Sequence, residues 1–283
     1  MLIIFSLILN KNSFSQQNKI IITAEKVVYK KIDSTLLNLH VYKPLNFHKD
    51  SIYNCIVFFH GGGWNNGSPR MFKRQSMYFA SRGMIAIAAE YRIKNKHNTT
   101  PFEAVEDAKS AIRFVRENAK ELNINPNMIV AGGGSAGGHL AAACGNIEGL
   151  DNPKENLKIS SVPNALVLLN PVIDNGPNAF GYQRFRNRYK EISPIHNISK
   201  GAPPTIILIG TKDKIIPVST VKNYQTNMKT VGSRCELVLY KDVGHAFFAK
   251  PPLKYFIETT LEIDLFLNSL SYISGSPTIN KQY

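Results

Sequence analysis

One stretch limits this chain more than any other: Gly132-Gly133-Gly134-Ser135-Ala136-Gly137-Gly138-His139. It is entered from Asn127-Met128-Ile129-Val130-Ala131 and left through Leu140-Ala141-Ala142-Ala143. An apolar run of strand type, a glycine cluster holding one serine, and a good helix former together describe a sharp strand-to-helix turn. Gly133-Gly134-Ser135-Ala136-Gly137 fits G-x-S-x-G. A serine held on a strained turn needs neighbours without side chains, so that backbones can approach closely. The helix that follows aims its first N–H groups at the space beside the serine, where a negatively charged oxygen would be stabilised. The turn alone does not make Ser135 a nucleophile; that requires a base, an acid and further donors elsewhere.

The rest of the chain reads as strands alternating with helices. Residues 55–59, 84–88, 165–169 and 205–209 are continuous apolar runs, as in strands covered on both faces, while 26–30 and 37–42 alternate. Phe102, Val105, Ala108, Ile112 and Val115 recur at three and four, which predicts an amphipathic helix ending near Lys120. Further helices are expected over 71–81, 218–231 and 255–270, with a strand over 236–240. This alternation predicts a single α/β domain over residues 20–270, built on a mainly parallel sheet. The chain has 283 residues, 43% of them hydrophobic, which is material for one sizeable core.

Charge and cysteines narrow the partners. Lys and Arg number 34 against 20 Asp and Glu, a net charge of +14, yet the cations are dispersed rather than gathered in blocks. That argues against nucleic acid and for a surface that attracts acidic material. Cys55, Cys144 and Cys235 lack C-x-x-C spacing, so neither a metal site nor a disulfide framework is expected. They read as small buried hydrophobes, with one bridge left open. Met1 to Leu9 is apolar but too short to span a bilayer, and Ser13 and Ser15 follow. This predicts a signal peptide over 1–15 and a secreted or periplasmic protein, although no basic residue precedes the run. No later stretch suits a membrane helix. Residues 271–283, with Gly275 and Pro277, read as a loose tail.

Serine chemistry needs a base to take the hydroxyl proton and an acid to orient that base. Asp213 lies in Gly210-Thr211-Lys212-Asp213-Lys214, just after the strand 205–209. His245 lies in Val243-Gly244-His245-Ala246-Phe247-Phe248, just after the strand 236–240. Both loops fall at the C-terminal ends of strands, on the sheet edge that also holds Ser135 and where ligands of open α/β sheets bind. His60-Gly61-Gly62-Gly63-Trp64 ends the strand 55–59, and the N–H groups of Gly61, Gly62 and Ala136 are the expected oxyanion donors. Asp174 is a weaker candidate acid. His60, His139, Glu90 and Asp107 read as structural, and Asp242, three residues from His245, is a less natural acid because it would have to fold back on the base. No metal or organic cofactor is needed.

The set HGGGW, GGGSAGGHLA, GTKDKIIPV and VGHAFF resembles the α/β-hydrolase superfamily, from about Ile52 to Leu270. The nearest look is that of hormone-sensitive-lipase-like carboxylesterases and the bacterial feruloyl and acetylxylan esterase branch. The resemblance implies an eight-stranded, mostly parallel sheet with helices on both faces. It also implies Ser135 as nucleophile, Asp213 as acid and His245 as base. The implied activity is that of a serine carboxylesterase acting on acetyl or feruloyl-type esters of carbohydrate, or on small short-chain esters. Lipase-like members usually carry Asp before the serine; Gly134 looks more like the carbohydrate-esterase branch.

The excursion over 174–204 stands where a helical crossover is usual and is a candidate small lid. Tyr182, Phe185, Tyr189 and Ile192 would form one apolar helical face, with Arg184, Arg186, Arg188 and Lys190 elsewhere. Tyr182 and Arg184 are candidate contacts for an acidic or sugar substrate. Trp64 either stacks on a sugar ring or packs its own loop. Two alternatives are a serine peptidase of the prolyl-oligopeptidase type, which typically carries an N-terminal propeller, and a non-catalytic binding protein on the same fold.

Overall fold

The computed structural model describes residues 23–279; the expected signal peptide lies outside them. Eight strands form one sheet in the order β1-β2-β4-β3-β5-β6-β7-β8. They are β1 (Ala24–Ile32), β2 (Thr35–Tyr42), β3 (Tyr53–Phe59), β4 (Ile85–Ala89), β5 (Ile124–Gly134), β6 (Ala165–Leu169), β7 (Thr205–Gly210) and β8 (Cys235–Tyr240). β1–β2 and β2–β4 pair antiparallel, and every other pairing is parallel. This is the α/β-hydrolase fold that the motifs implied.

The continuous apolar runs are explained by burial on both faces. Cys55, Val57 and Phe59 of β3 point into one half of the core, and Ile56 and Phe58 into the other. The first half is covered by α3 (Pro101–Glu117), α4 (Ala136–Asn146) and α7 (Val218–Thr230), the second by α1 (Lys73–Ser81) and α8 (Lys254–Ser269). Helix starts follow local chemistry. Thr100 caps α3, accepting from the Phe102 N–H, while Glu103 reaches back to the Thr100 N–H and Pro101 supplies the first turn.

Two expectations fail. Residues 182–192 do not form one helix: α5 (Tyr182–Phe185) and α6 (Tyr189–Ile192) are separated by a 3-10 turn, with a four-residue α2 (Lys94–His97) earlier in the chain. The break is at Arg186, whose φ of 45° a continuing helix forbids. Phe185 and Ile192 are still buried, while Tyr182 and Tyr189 meet edge-on at 6.0 Å. The tail is not loose over its described part. Tyr272, Ile273 and Ile279 are buried against α1 and α8, and the Arg82 guanidinium donates to the carbonyls of Ser274 and Gly275. The three cysteines are free and buried.

Candidate active site

β5 runs straight into the turn. Ser135 has φ 56° and ψ −119°, a conformation that strains any residue with a Cβ by about 1–3 kcal/mol and that packing must hold. The glycines on either side show how. A Cβ on Gly133 would lie 2.2 Å from the Gly137 carbonyl oxygen, and one on Gly137 would lie 2.0 Å from that of Phe59. Both positions of G-x-S-x-G are therefore fixed by backbone approach. Ser135 donates its own N–H to Leu169 O, which ties the turn to β6.

The turn, the Asp213 loop and the His245 loop converge at one sheet edge. Ser135 Oγ lies 2.8 Å from His245 Nε2, and His245 Nδ1 lies 2.7 Å from Asp213 Oδ2. The Asp213 side chain is fully buried, and its other oxygen accepts from the N–H groups of Ile215 and Ile216. Burial pushes this carboxyl up in pKa. The bond to His245 and the two N–H donors outweigh it and hold the group below its ordinary value. An ionised carboxylate facing Nδ1 keeps the proton on that nitrogen and leaves Nε2 as the acceptor facing the serine. The arrangement is chemically competent to deprotonate a hydroxyl.

The donors beside the serine are partly as expected. The Gly61 N–H is directed at Met71 Sδ, 3.2 Å away, so it is already engaged. The N–H groups of Gly62 and Ala136 have no partner among the described residues. Ala136 opens α4, whose N-terminal dipole adds to its pull on negative charge. Gly62 sits at φ 122° with Asn66 closing over it, a conformation that excludes a side chain.

Trp64 is 1% exposed, which removes it as a sugar-stacking surface. It packs its own loop, with the rings of Phe180, Phe185 and His139 around it. Arg184 likewise turns inward: its guanidinium donates to the Gly63 carbonyl and lies over the Trp64 ring at 5.5 Å. The 174–204 excursion thus borders the HGGGW loop and braces it. Tyr182 reaches Tyr189.

The remaining candidates are engaged away from Ser135. His60 is buried, stacks on Tyr91 at 4.2 Å, and is pushed down to about 4 by burial. His139 is buried, lies 2.7 Å from Ile192 O, and is also lowered to about 4 by burial. Asp107 pairs with Arg92 and Lys30, and Asp242 with Lys212. Asp174 accepts from the Gly176 N–H, while His245 has Asp213 as its carboxylate.

One residue escaped the motifs. Asn170, fully buried at the end of β6, accepts from the Ala246 N–H and places Nδ2 3.4 Å from His245 Nε2. It ties the His245 turn to the sheet. A polar residue closing the apolar run 165–169 was its one trace in the sequence. Among the described residues no group of His, Cys, Asp or Glu is placed to hold a metal ion, and no helix is long and apolar enough to cross a membrane.

The BD-FAE family model matches residues 39–180, and the dienelactone hydrolase family model matches 174–260. Thermogutta terrifontis esterase 2 is 42% identical, with a TM-score of 0.86 over 90% of this chain and 97% of that one. The same esterase has been solved with propionate bound and phosphonylated by sarin. An isoprenylcysteine alpha-carbonyl methylesterase of Arabidopsis thaliana is 28% identical over 76% of this chain and 55% of its own length. An acetylxylan esterase of Xylanibacter ruminicola is 27% identical over 76% of this chain and 45% of its own length. The chain thus spans about half the length of the curated relatives it matches.

Proposed function

The chain belongs to the BD-FAE family, and from that premise we propose that it is a carboxylic ester hydrolase working through a serine acyl-enzyme. The observation that carries this is the line of Ser135 Oγ, His245 and Asp213 at 2.8 and 2.7 Å beside two unpartnered N–H groups. Ser135 Oγ attacks the ester carbonyl as His245 Nε2 takes its proton. The N–H groups of Gly62 and Ala136 bind the oxyanion, and Asp213 stabilises the imidazolium. His245 then returns the proton to the departing alcohol. Water, deprotonated by the same nitrogen, releases the acid and restores Ser135.

The relatives support a reading of the substrate class. An esterase with propionate bound supports short acyl groups, and an acetylxylan esterase among the relatives supports carbohydrate as the alcohol half. Export directed by a signal peptide over 1–15 would bring the enzyme to such polymers. A fluorophosphonate probe should label Ser135 and nothing in Ser135→Ala, whose folded chain should lose ester turnover by about a thousandfold or more. Rates should fall from acetyl to octanoyl nitrophenyl esters, with acetylated xylan and methyl ferulate separating acetyl from feruloyl activity. Labelling that survives Ser135→Ala would move the nucleophile elsewhere.

A further inference from the structure

A cavity of about 520 Å³ opens between the Asp213 loop, the His245 turn and the start of α8. His245 itself forms part of its wall, and Lys212, Lys214 and Lys250 stand around it. No acidic side chain lines it among the described residues. Lys212 has Asp242 at 3.1 Å on the open surface; Lys214 and Lys250 have no ion-pair partner among the described residues. Phe247 and Tyr255 supply an aromatic wall, their rings edge-on at 5.6 Å.

Exposed lysines on a basic protein are ordinarily just solvated. Here three of them converge on one opening from two separate loops, where the carboxylates are that of Asp242 at the surface and that of Asp213, buried and engaged with His245. The mutual repulsion of the lysines is relieved when an anion enters, and the field of the cavity draws such an anion in. Its size suits a ring-bearing ligand, with the rings of Phe247 and Tyr255 offering an apolar surface to one face and the ammonium groups meeting a charge at the rim. The position is also chemical. In the reaction above the alcohol takes its proton from His245 Nε2 and so departs beside the imidazole, which is the group this cavity shares with the site. Ser135 lies outside its lining.

We propose that this cavity is an alcohol-side subsite for an anionic group. The preferred esters are those whose alcohol half is a ring carrying a carboxylate, as in an O-acylated acidic sugar. The assignment rests on the ester-hydrolase reading and adds to it the charge of the leaving alcohol. It also moves the recognition of acidic substrate from Arg184, which is bound to Gly63, to lysines flanking the base.

The test compares two acetyl esters of matched phenols, 3-acetoxybenzoate and 3-acetoxybenzamide, one anionic and one neutral. At low ionic strength the enzyme should favour the anion in kcat/KM by roughly tenfold, and salt should erode that ratio. The double variant Lys214→Gln, Lys250→Gln should lower the ratio by about tenfold. Lys120→Gln with Lys229→Gln, which removes the same charge elsewhere, should leave it in place. A ratio that is unchanged in the first variant, or that falls equally in both, overturns the subsite while turnover of the neutral ester upholds ester hydrolysis. Failure of the enzyme to turn over either ester overturns both. Acetylated methyl glucuronoside against acetylated methyl glucoside should give the same order.

Discussion

Gly134 has no positive φ to demand a glycine; what demands it is a neighbour. A Cβ there would lie 2.5 Å from Cζ of Phe248, which is buried and stacked on Phe72. Phe72 in turn stacks on Phe58 of β3. An aromatic ring therefore fills the space that a side chain at this position would use. Phe248 stands three residues beyond His245, so its displacement reaches the base. Gly134→Ala should lower stability by about 1–3 kcal/mol and reduce kcat as the His245 turn shifts. Adding Phe248→Leu should recover part of both losses. Urea melts and kcat across the double-mutant cycle check this, and strict additivity would mean that the contact carries no energy.

At the scale of elements, the antiparallel end of the sheet braces the HGGGW loop. Glu90, just after β4, accepts from the N–H and side-chain amide of Asn38 in β2 and lies 2.9 Å from His40 Nε2. Tyr91 beside it donates to the carbonyl of His60 at 2.7 Å. Burial pushes the Glu90 carboxyl up, but the bonds from His40 and Asn38 prevail and bring it from 4.5 to about 2. A carboxyl lowered by folding contributes stability that is complete above its unfolded pKa and is lost as pH falls towards the folded one. Glu90→Gln should thus cost about 1–2 kcal/mol at pH 7, a gap that closes between pH 4.5 and 2. Melts at pH 7, 4 and 3 measure it; a gap independent of pH would show that the charge is not the source.

Across the whole molecule, the C-terminal segment completes the second half of the core rather than trailing from it. Asp264 in α8 accepts from Tyr78 at 2.5 Å and from Arg82 Nε at 2.7 Å, and the same guanidinium holds the tail carbonyls. The burial of Tyr272, Ile273 and Ile279 and the Arg82 bonds to the tail carbonyls act together to hold the segment. Ending the chain after Leu270 should lower stability by about 2–4 kcal/mol and the melting temperature by roughly 5–10 °C. An unchanged melting curve would mean that the segment contributes nothing.

The amino-acid sequence alone determined what is local. Continuous apolar runs located the central strands, because a strand buried on both faces has no polar alternative, and alternation located those at the antiparallel end. The glycines around Ser135 marked the turn, because only they admit the backbone contacts that it makes. Asp213 and His245 were legible because each follows a strand, and a parallel sheet brings such loops to one edge. Tertiary structure decided what depends on distant side chains meeting. It buried Trp64 under the 174–204 excursion, turned the Gly61 N–H to Met71, and brought Asn170 against the His245 turn. It also gathered Lys212, Lys214 and Lys250 around one cavity. Periodicity and turn chemistry encode a residue's own backbone, whereas its partners are chosen by packing across the sheet.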